Sequence, residues 1–412
     1  MPEPWEDEMS VKSIRLNRRA FLGSAAAVAA FSSMPRVFAQ EGPIRVGGTL
    51  PLTGPLAGVG AIHRLAAEVF VEQINAKGGI LGRKVEFVLL DDQSLPANAR
   101  TLYERLVTAD KVDLLMGPYG TSSIIAAMGV AARFKKMLVQ SSLGDPSLAP
   151  YPLQFPSLPI GAEPQLTDTE IVLDAYASLP APPKTIAFVT SKFPSALTIA
   201  KGGQQVAEKR GIKSLLDLEY EFGTKDFGAI ANRIKAADPD LLWSGAIGME
   251  AVQLLDAMSR IDYQPRNQFY LFPAPGPTAA HPKANGLTSL TWFEEHEPFL
   301  KNHGAPEFVS AYGSKAKAAG FPYPRTEYQA AVEYAAWQIL AAAAEGAGKL
   351  DDAAMAAWLR SNAVETVVGP RTFDGKFNAG KPSTKLKQVQ GKDWVTVWPA
   401  DFRPAGKEFL VP

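Results

Sequence analysis

From residue 43 onward, apolar positions along the chain fall into short runs alternating with longer stripes of helical spacing. Ile44–Leu50 is a compact run with β-branched Ile44, Val46 and Thr49, which predicts a strand. A Gly/Pro loop over 51–60 follows, and then a helix that continues to Ile74. Residues 85–90 read as a second strand ending in Asp91-Asp92, and 97–107 as a second helix. Leu114–Met116 is a third strand, stopped by Gly117-Pro118, ahead of a helix over 122–134 and a strand over 137–140. Such alternation predicts a parallel sheet with helices on both faces.

The alternation then restarts. Strands are predicted at 185–190, 215–220, 240–244 and 269–272, with helices at 195–209, 227–236 and 249–260 between them. Residues 150–164 are proline-rich and aperiodic and read as a linker. A second irregular stretch over 273–298 precedes a helical block at 308–359, and 371–397 reads as strands and turns. A chain of 412 residues exceeds one ordinary core, so the pattern predicts two doubly wound α/β lobes.

The first 39 residues read as an export signal. Lys12, Arg15, Arg18 and Arg19 precede a short alanine-rich apolar run over 20–31. Val37-Phe38-Ala39 then supplies a small-residue cleavage pattern, with Gln40 opening the mature chain. Arg18-Arg19 followed by Ala20-Phe21-Leu22 resembles a twin-arginine signal, which implies export of the folded chain. Glu3, Glu6, Asp7 and Glu8 are unusual for such a leader and make Met9 an alternative start. The apolar run falls short of the roughly 20 residues a bilayer requires. The best later candidate, 328–345, is interrupted by Gln329, Glu333 and Gln338 and reads as an amphipathic core helix. A soluble exported protein is expected.

Composition removes several function classes. Lys+Arg and Asp+Glu both total 42, so no basic surplus points to nucleic acid. The absence of cysteine excludes disulfides, thiolate metal sites, cysteine nucleophiles and a lipidated N-terminal cysteine. Of the four histidines, His296 and His303 lie near Glu294, Glu295 and Glu297, but their spacing matches no standard zinc site. No Gly-x-Ser-x-Gly elbow or P-loop occurs either, so neither an enzyme nor a cofactor is predicted.

In open parallel sheets, ligands sit at the carboxyl ends of strands. The loops there are rich in glycine and hydroxyls: Pro51-Leu52-Thr53-Gly54, Gly117-Pro118-Tyr119-Gly120-Thr121-Ser122-Ser123, and Gln140-Ser141-Ser142-Leu143-Gly144-Asp145-Pro146. Glycine permits close backbone approach, and a helix N-terminus suits a carboxylate. The plainer alternative is that Thr121 or Ser122 caps its own helix.

Taken in order, these segments resemble the leucine/isoleucine/valine-binding protein family, the type I periplasmic receptors of ABC importers. The residues that carry the likeness are Ile44-Arg45-Val46-Gly47 with Pro51-Leu52-Thr53-Gly54, Ile74-Asn75, Gly78-Gly79-Ile80-Leu81-Gly82-Arg83-Lys84, Asp91-Asp92 and Gly117-Pro118. Later ones are 234–240, Asn285-Gly286-Leu287 and Phe373-Asp374-Gly375. The resemblance implies two Rossmann-like lobes joined by three crossovers, near Leu158, Leu287 and Gly369. Lobe one would be 43–157 plus 287–368, and lobe two 158–286 plus 369–412.

It also implies a monomeric periplasmic protein that closes on a small polar solute, an amino acid or related carboxylate, and delivers it to an ABC permease. A ligand sensor serving a membrane receptor is the alternative, with an exported enzyme behind it. Carried over, the binding residues would be Thr53, Tyr119, Thr121, Ser122, Ser142 and Gly144, with Phe193 of lobe two as the covering aromatic. Family amino-acid binders place a threonine at the position of Gly144 and an ammonium-binding acid at that of Pro275. Since 272–277 carries no charge, either Asp145 or Glu250 substitutes, or the ligand lacks an α-amine. Asp145 before Pro146 also reads as a turn former, and Glu250 as a first-turn helix residue.

Overall fold

The two runs of alternation become two sheets in the computed structural model, which describes residues 42–411; the export-signal reading of 1–39 lies outside them. The first sheet is wholly parallel, in the order β2-β1-β3-β4-β5. Its strands are β1 (Ile44–Leu50), β2 (Val85–Asp91), β3 (Leu114–Met116), β4 (Leu138–Gln140) and β5 (Gln154–Pro156). Helices α1 (Ala57–Ala76), α2 (Pro96–Thr108) and α3 (Thr121–Phe134) connect them. Both faces are covered, which is why Ile44, Val46, Leu115, Leu138 and Val139 are fully buried.

The second sheet runs β12-β11-β10-β9-β8-β6-β7. Strands β6 (Thr185–Ser191), β7 (Lys213–Tyr220), β8 (Leu241–Gly248), β9 (Asn267–Pro273) and β10 (Thr288–Thr291) pair in parallel. The hairpin of β11 (Lys385–Gln390) and β12 (Asp393–Trp398) adds two antiparallel strands at one edge. Helices α4 (Pro164–Ala177), α5 (Pro194–Lys209), α6 (Gly228–Ala237), α7 (Glu250–Arg260) and α8 (Pro275–Ala280) flank it. Then come α9 (Ala305–Ala318), α10 (Tyr328–Ala347) and α11 (Asp352–Ser361). Of these, α10 returns to the first lobe, where Trp337 and Tyr334 pack on Phe70 of α1 with ring centroids 5.8 and 5.3 Å apart.

Two stretches read as irregular contain structure. The linker at 150–164 holds β5, and Pro164 opens α4 directly. The stretch at 273–298 holds α8 and β10. Strand β10 is Thr288-Ser289-Leu290-Thr291, too polar to read as a buried strand. It is buried because its hydroxyls are satisfied internally: Thr288 Oγ1 donates to Gln268 O at 3.1 Å and Ser289 Oγ to Leu271 O at 3.3 Å.

Strand order reverses direction at β1/β3 in the first sheet and at β6/β8 in the second. At such switch points the loops leaving the strand ends splay apart and make room for a ligand. Here the loops after β3, β4 and β6 meet, beside Ile247 of β8 and Phe272 of β9.

Candidate functional site

Three helices begin at one cleft. Helix α3 starts at Thr121 after Gly120, whose φ of 91° suits glycine; α5 starts at Pro194 after Phe193; α10 starts at Tyr328 after Glu327. None has a side-chain cap, so first-turn N–H groups and the positive ends of three helix dipoles remain on offer. The cleft measures about 430 Å³ including space open to solvent, and its walls include His63, Tyr119, Thr121, Ser142, Phe193 and Ser195. Among the described residues, no lysine, arginine or carboxylate lines it. What it presents to a solute is N–H, hydroxyl and imidazole, set in an apolar frame that includes Ile247 and Phe272.

The hydroxyls tie the two lobes together. Thr121 Oγ1 lies 3.1 Å from Ser195 Oγ as donor, and Gly144 N–H approaches Thr121 Oγ1 at 3.4 Å. The alternative in which Thr121 or Ser122 caps α3 is therefore not what the structure contains. Ser142 Oγ accepts from Gly120 N–H at 2.9 Å, leaving its own proton free to turn. Gln140 Oε1 shapes this loop by accepting from Ser142 N–H and Leu143 N–H at 3.1 and 2.9 Å. A Cβ on Gly144 would stand 2.8 Å from Ser195 Cβ, so the approach of the lobes needs glycine there.

Behind these hydroxyls lies a residue that sequence reasoning passed over. His63 of α1 is fully buried, its ring 4.7 Å from that of Tyr119. Its Nδ1 lies 3.1 Å from Glu333 Oε2, which also accepts from Ser141 Oγ at 2.8 Å, while Trp337 Nε1–H donates to Glu333 Oε1 at 2.9 Å. The carboxylate holds the proton on Nδ1 and fixes the ring. His63 lines the cleft, and its Nε2 is buried with no partner among the described residues. It presents a lone pair in the neutral ring and an N–H in the imidazolium. Gln329, also in the wall, donates to Tyr328 Oη at 3.3 Å and keeps its carbonyl oxygen unpartnered.

The structure brings together four of the nine residues named from sequence: Tyr119, Thr121, Ser142 and Phe193 all line the cleft. Phe193 packs on Phe222 at 5.2 Å and reaches over toward Gly120. Gly144 stands at the lobe contact just described. Thr53 and Ser122 are outside the lining. Thr53 closes the first loop instead, its hydroxyl and N–H donating to Asp91 at 2.8 and 3.2 Å. Partial burial works to raise the Asp91 carboxyl, but donors from Gln93, Thr53 and Leu52 outweigh it and hold it below the usual value.

Asp145 and Glu250 are also outside the lining. Asp145 caps a short turn, accepting from Ser147 N–H and Oγ at 2.9 and 2.7 Å. Glu250 is surrounded by donors: Gly223 N–H at 2.8 Å, Ile247 N–H at 3.0 Å, and the hydroxyls of Ser191 and Tyr220 at 3.3 Å. Burial pushes its carboxyl up, and those four bonds pull against it. Both oxygens of Glu250 are held by donors, and the bonds to Asp145 fall on Oδ1.

A family model described as periplasmic binding protein matches residues 43–393. Among curated relatives, an amino acid binding protein of Pseudomonas aeruginosa is 27% identical over 88% of this chain and 94% of its own. The Leu/Ile/Val-binding protein of Escherichia coli K12 is 26% identical over the same shares, 88% and 94%. A leucine binding protein from Thermotoga maritima superposes with a TM-score of 0.75 at 18% identity, covering 86% of this chain and 97% of that one. A solute binding protein of an ABC transporter from R. palustris, solved in complex with benzoate, superposes at 0.72 with 20% identity, covering 86% and 95%. At these identities the two structural likenesses speak for the fold.

Proposed function

The chain belongs to the periplasmic binding protein family, and from that premise we propose that it is the solute receptor of an ABC importer, holding a small carboxylate between its lobes. The observation that carries this reading is the meeting of three helix N-termini without side-chain caps on one cleft lined by hydroxyls. An anion is the solute such a wall favours. Each hydrogen bond to a charged group contributes about 1.5–3 kcal/mol, so three or four reach the roughly 8 kcal/mol of micromolar binding. Relatives named for leucine, isoleucine and valine, and a neighbour holding benzoate, are in keeping with a carboxylate.

Thr121, Ser142 and Ser195 would hold the carboxylate with first-turn N–H groups of α3, while Tyr119 and Phe193 wall the body of the solute. Closure is a hinge motion: a solute bridging both lobes stabilises the closed form, and the permease reads that surface. The hydrogen bond from Thr121 to Ser195 is a contact such a closed form would use. We place the crossovers near Leu158, after Thr291 and near Gly369; the second follows Thr291 because β10 pairs within the second sheet. The N-terminal 39 residues supply the export address, so the periplasm is the site of action.

The test is a thermal-shift screen of refolded, ligand-free protein against carboxylates, their amides, amines and polyols. A carboxylate at a hundred times its dissociation constant is expected to stabilise by about 2.7 kcal/mol. Polyols or amines shifting the melt while every carboxylate fails would refute the reading.

A further inference from the structure

Away from the cleft, the three crossover segments are tied together at one buried hydroxyl. Thr384 ends the segment that leads from Gly369 to β11. Its Oγ1 donates to Asp168 Oδ1 of α4 at 2.6 Å and accepts from Trp292 Nε1–H, just past β10, at 3.0 Å. Helix α4 is the first helix after the crossover at Leu158, and on that crossover Pro159 O accepts from Ser383 N–H at 2.8 Å. A Cβ on Gly161 would stand 3.0 Å from Pro382 Cδ, so the first and last crossovers lie against each other. Asp168, Trp292 and Thr384 are each more than nine-tenths buried.

Asp168 is the incomplete member of this joint. Its Oδ2 is buried with no hydrogen-bond partner among the described residues, and so is Gln165 Oε1, one helical turn earlier. The charged groups on the elements packed against α4 are directed elsewhere. On β11, the Lys385 ammonium donates to Ser383 O at 2.6 Å and lies 4.3 Å from the Phe402 ring centroid, and that of Lys387 lies 2.8 Å from Glu294 Oε1. On α5, Lys201, Glu208 and Lys209 are exposed, and Arg210 beyond it pairs with Asp174 at 2.7 Å. Glu163 and Glu170 are exposed, Glu408 of the C-terminal segment pairs with Arg403, and burial pushes the Tyr176 phenol up, so it stays neutral. What acts on the Asp168 carboxyl is burial, which pushes it up to about 7, and against it the Thr384 bond. Ionised, it leaves a charge in the joint with one donor; protonated, it loses the charge and gains an O–H to donate.

We propose that Asp168 is a proton-operated catch on the hinge: protonated, it holds the crossovers as they stand here, with Thr121 meeting Ser195, and ionised, it favours opening, in which water reaches the carboxylate. The proposal rests on the hinge reading of the crossovers and is independent of what the solute is. The arrangement that buries the acid binds its proton more tightly than one that hydrates it. Closure is therefore favoured at low pH and lost as pH rises through about 7. If opening lowers the acid's value by about one pH unit, the closed-to-open ratio changes about tenfold.

The chain has no cysteine, so nitroxide labels go only where cysteines are placed. Ala97→Cys at the start of α2 and Lys225→Cys in the loop after β7 are exposed positions, one on each lobe. Double electron–electron resonance on refolded, ligand-free protein then reads the distance between the lobes from about pH 6 to about pH 8.5. The ratio of short to long distances is expected to fall at least about tenfold as pH rises, and Asp168→Asn to keep the short distance throughout. Thr384→Val, which removes the bond favouring the ionised acid, should move the transition to higher pH. With the wild type and Thr384→Val, the question is decided even if Asp168→Asn fails to fold. Distances that ignore pH, that shift alike in Asp168→Asn, or whose transition Thr384→Val leaves in place overturn the assignment. The receptor reading is judged separately, by the thermal-shift screen.

Discussion

Glu333 and Glu327 lie six residues apart, both almost wholly buried, yet their surroundings differ at every point. Glu333 stands inside the first turns of α10 and receives His63, Ser141 and Trp337 from three directions. Glu327 stands just before the helix and receives none. The difference teaches what each acid is for. A carboxylate with all its donors in place fixes the parts around it, here the imidazole that lines the cleft. A carboxylate buried without hydrogen-bond donors costs stability, and Glu327 has only the Lys387 ammonium, 3.9 Å away, to offset it.

The sharpest way to break this contrast is Glu333→Ala. It strands three buried donors and should cost about 3–5 kcal/mol in urea denaturation. A loss below about 1 kcal/mol would show that the network around His63 is not what fixes it.

Next in size is the pH response at Glu327. Burial pushes its carboxyl up to about 7, against an ordinary 4.5, so the folded chain binds this proton more tightly than the unfolded one. Its stabilising share is complete below about 4.5 and is lost as pH rises through about 7, on the order of 3 kcal/mol in all. Asp92 and Asp168 are shifted the same way, to about 6 and about 7, so the informative quantity is the difference between wild type and Glu327→Gln. Denaturation curves of the two proteins should diverge across that window, with the variant the more stable at high pH. Parallel curves would mean that Glu327 is not the strained acid. The smallest effect is expected from Ser141→Ala, about 1 kcal/mol, because Glu333 keeps its bonds to His63 and Trp337.

Much of the architecture was legible because it follows local pattern. Ile44–Leu50 and Leu114–Met116 fall where their apolar runs place them, and the loops at the strand ends do carry Tyr119, Thr121 and Ser142 into the cleft. Strands β5 and β10 were not legible: three residues beside prolines, and a run of hydroxyls made apolar-compatible only by partners on β9. The turn-forming alternative for Asp145 matches its bonds to Ser147. The pairing of His63 with Glu333 spans 270 residues and has no local signature. A faint signal did exist. Gln329 and Glu333 stand one helical turn apart on an otherwise alanine-rich helix, where they read as interruptions of an apolar stretch. A polar pair on the buried face of a helix is better read as a wall of something.

The central claim is that the cleft recognises a carboxylate at the start of α3. The most direct test compares acid and primary amide of the same solute by titration calorimetry, on wild type and on Thr121→Ala. The account predicts that the acid binds the wild type at least about tenfold more tightly than the amide, and that Thr121→Ala weakens the acid more than the amide. Equal binding of acid and amide, or an acid affinity indifferent to Thr121, would contradict it.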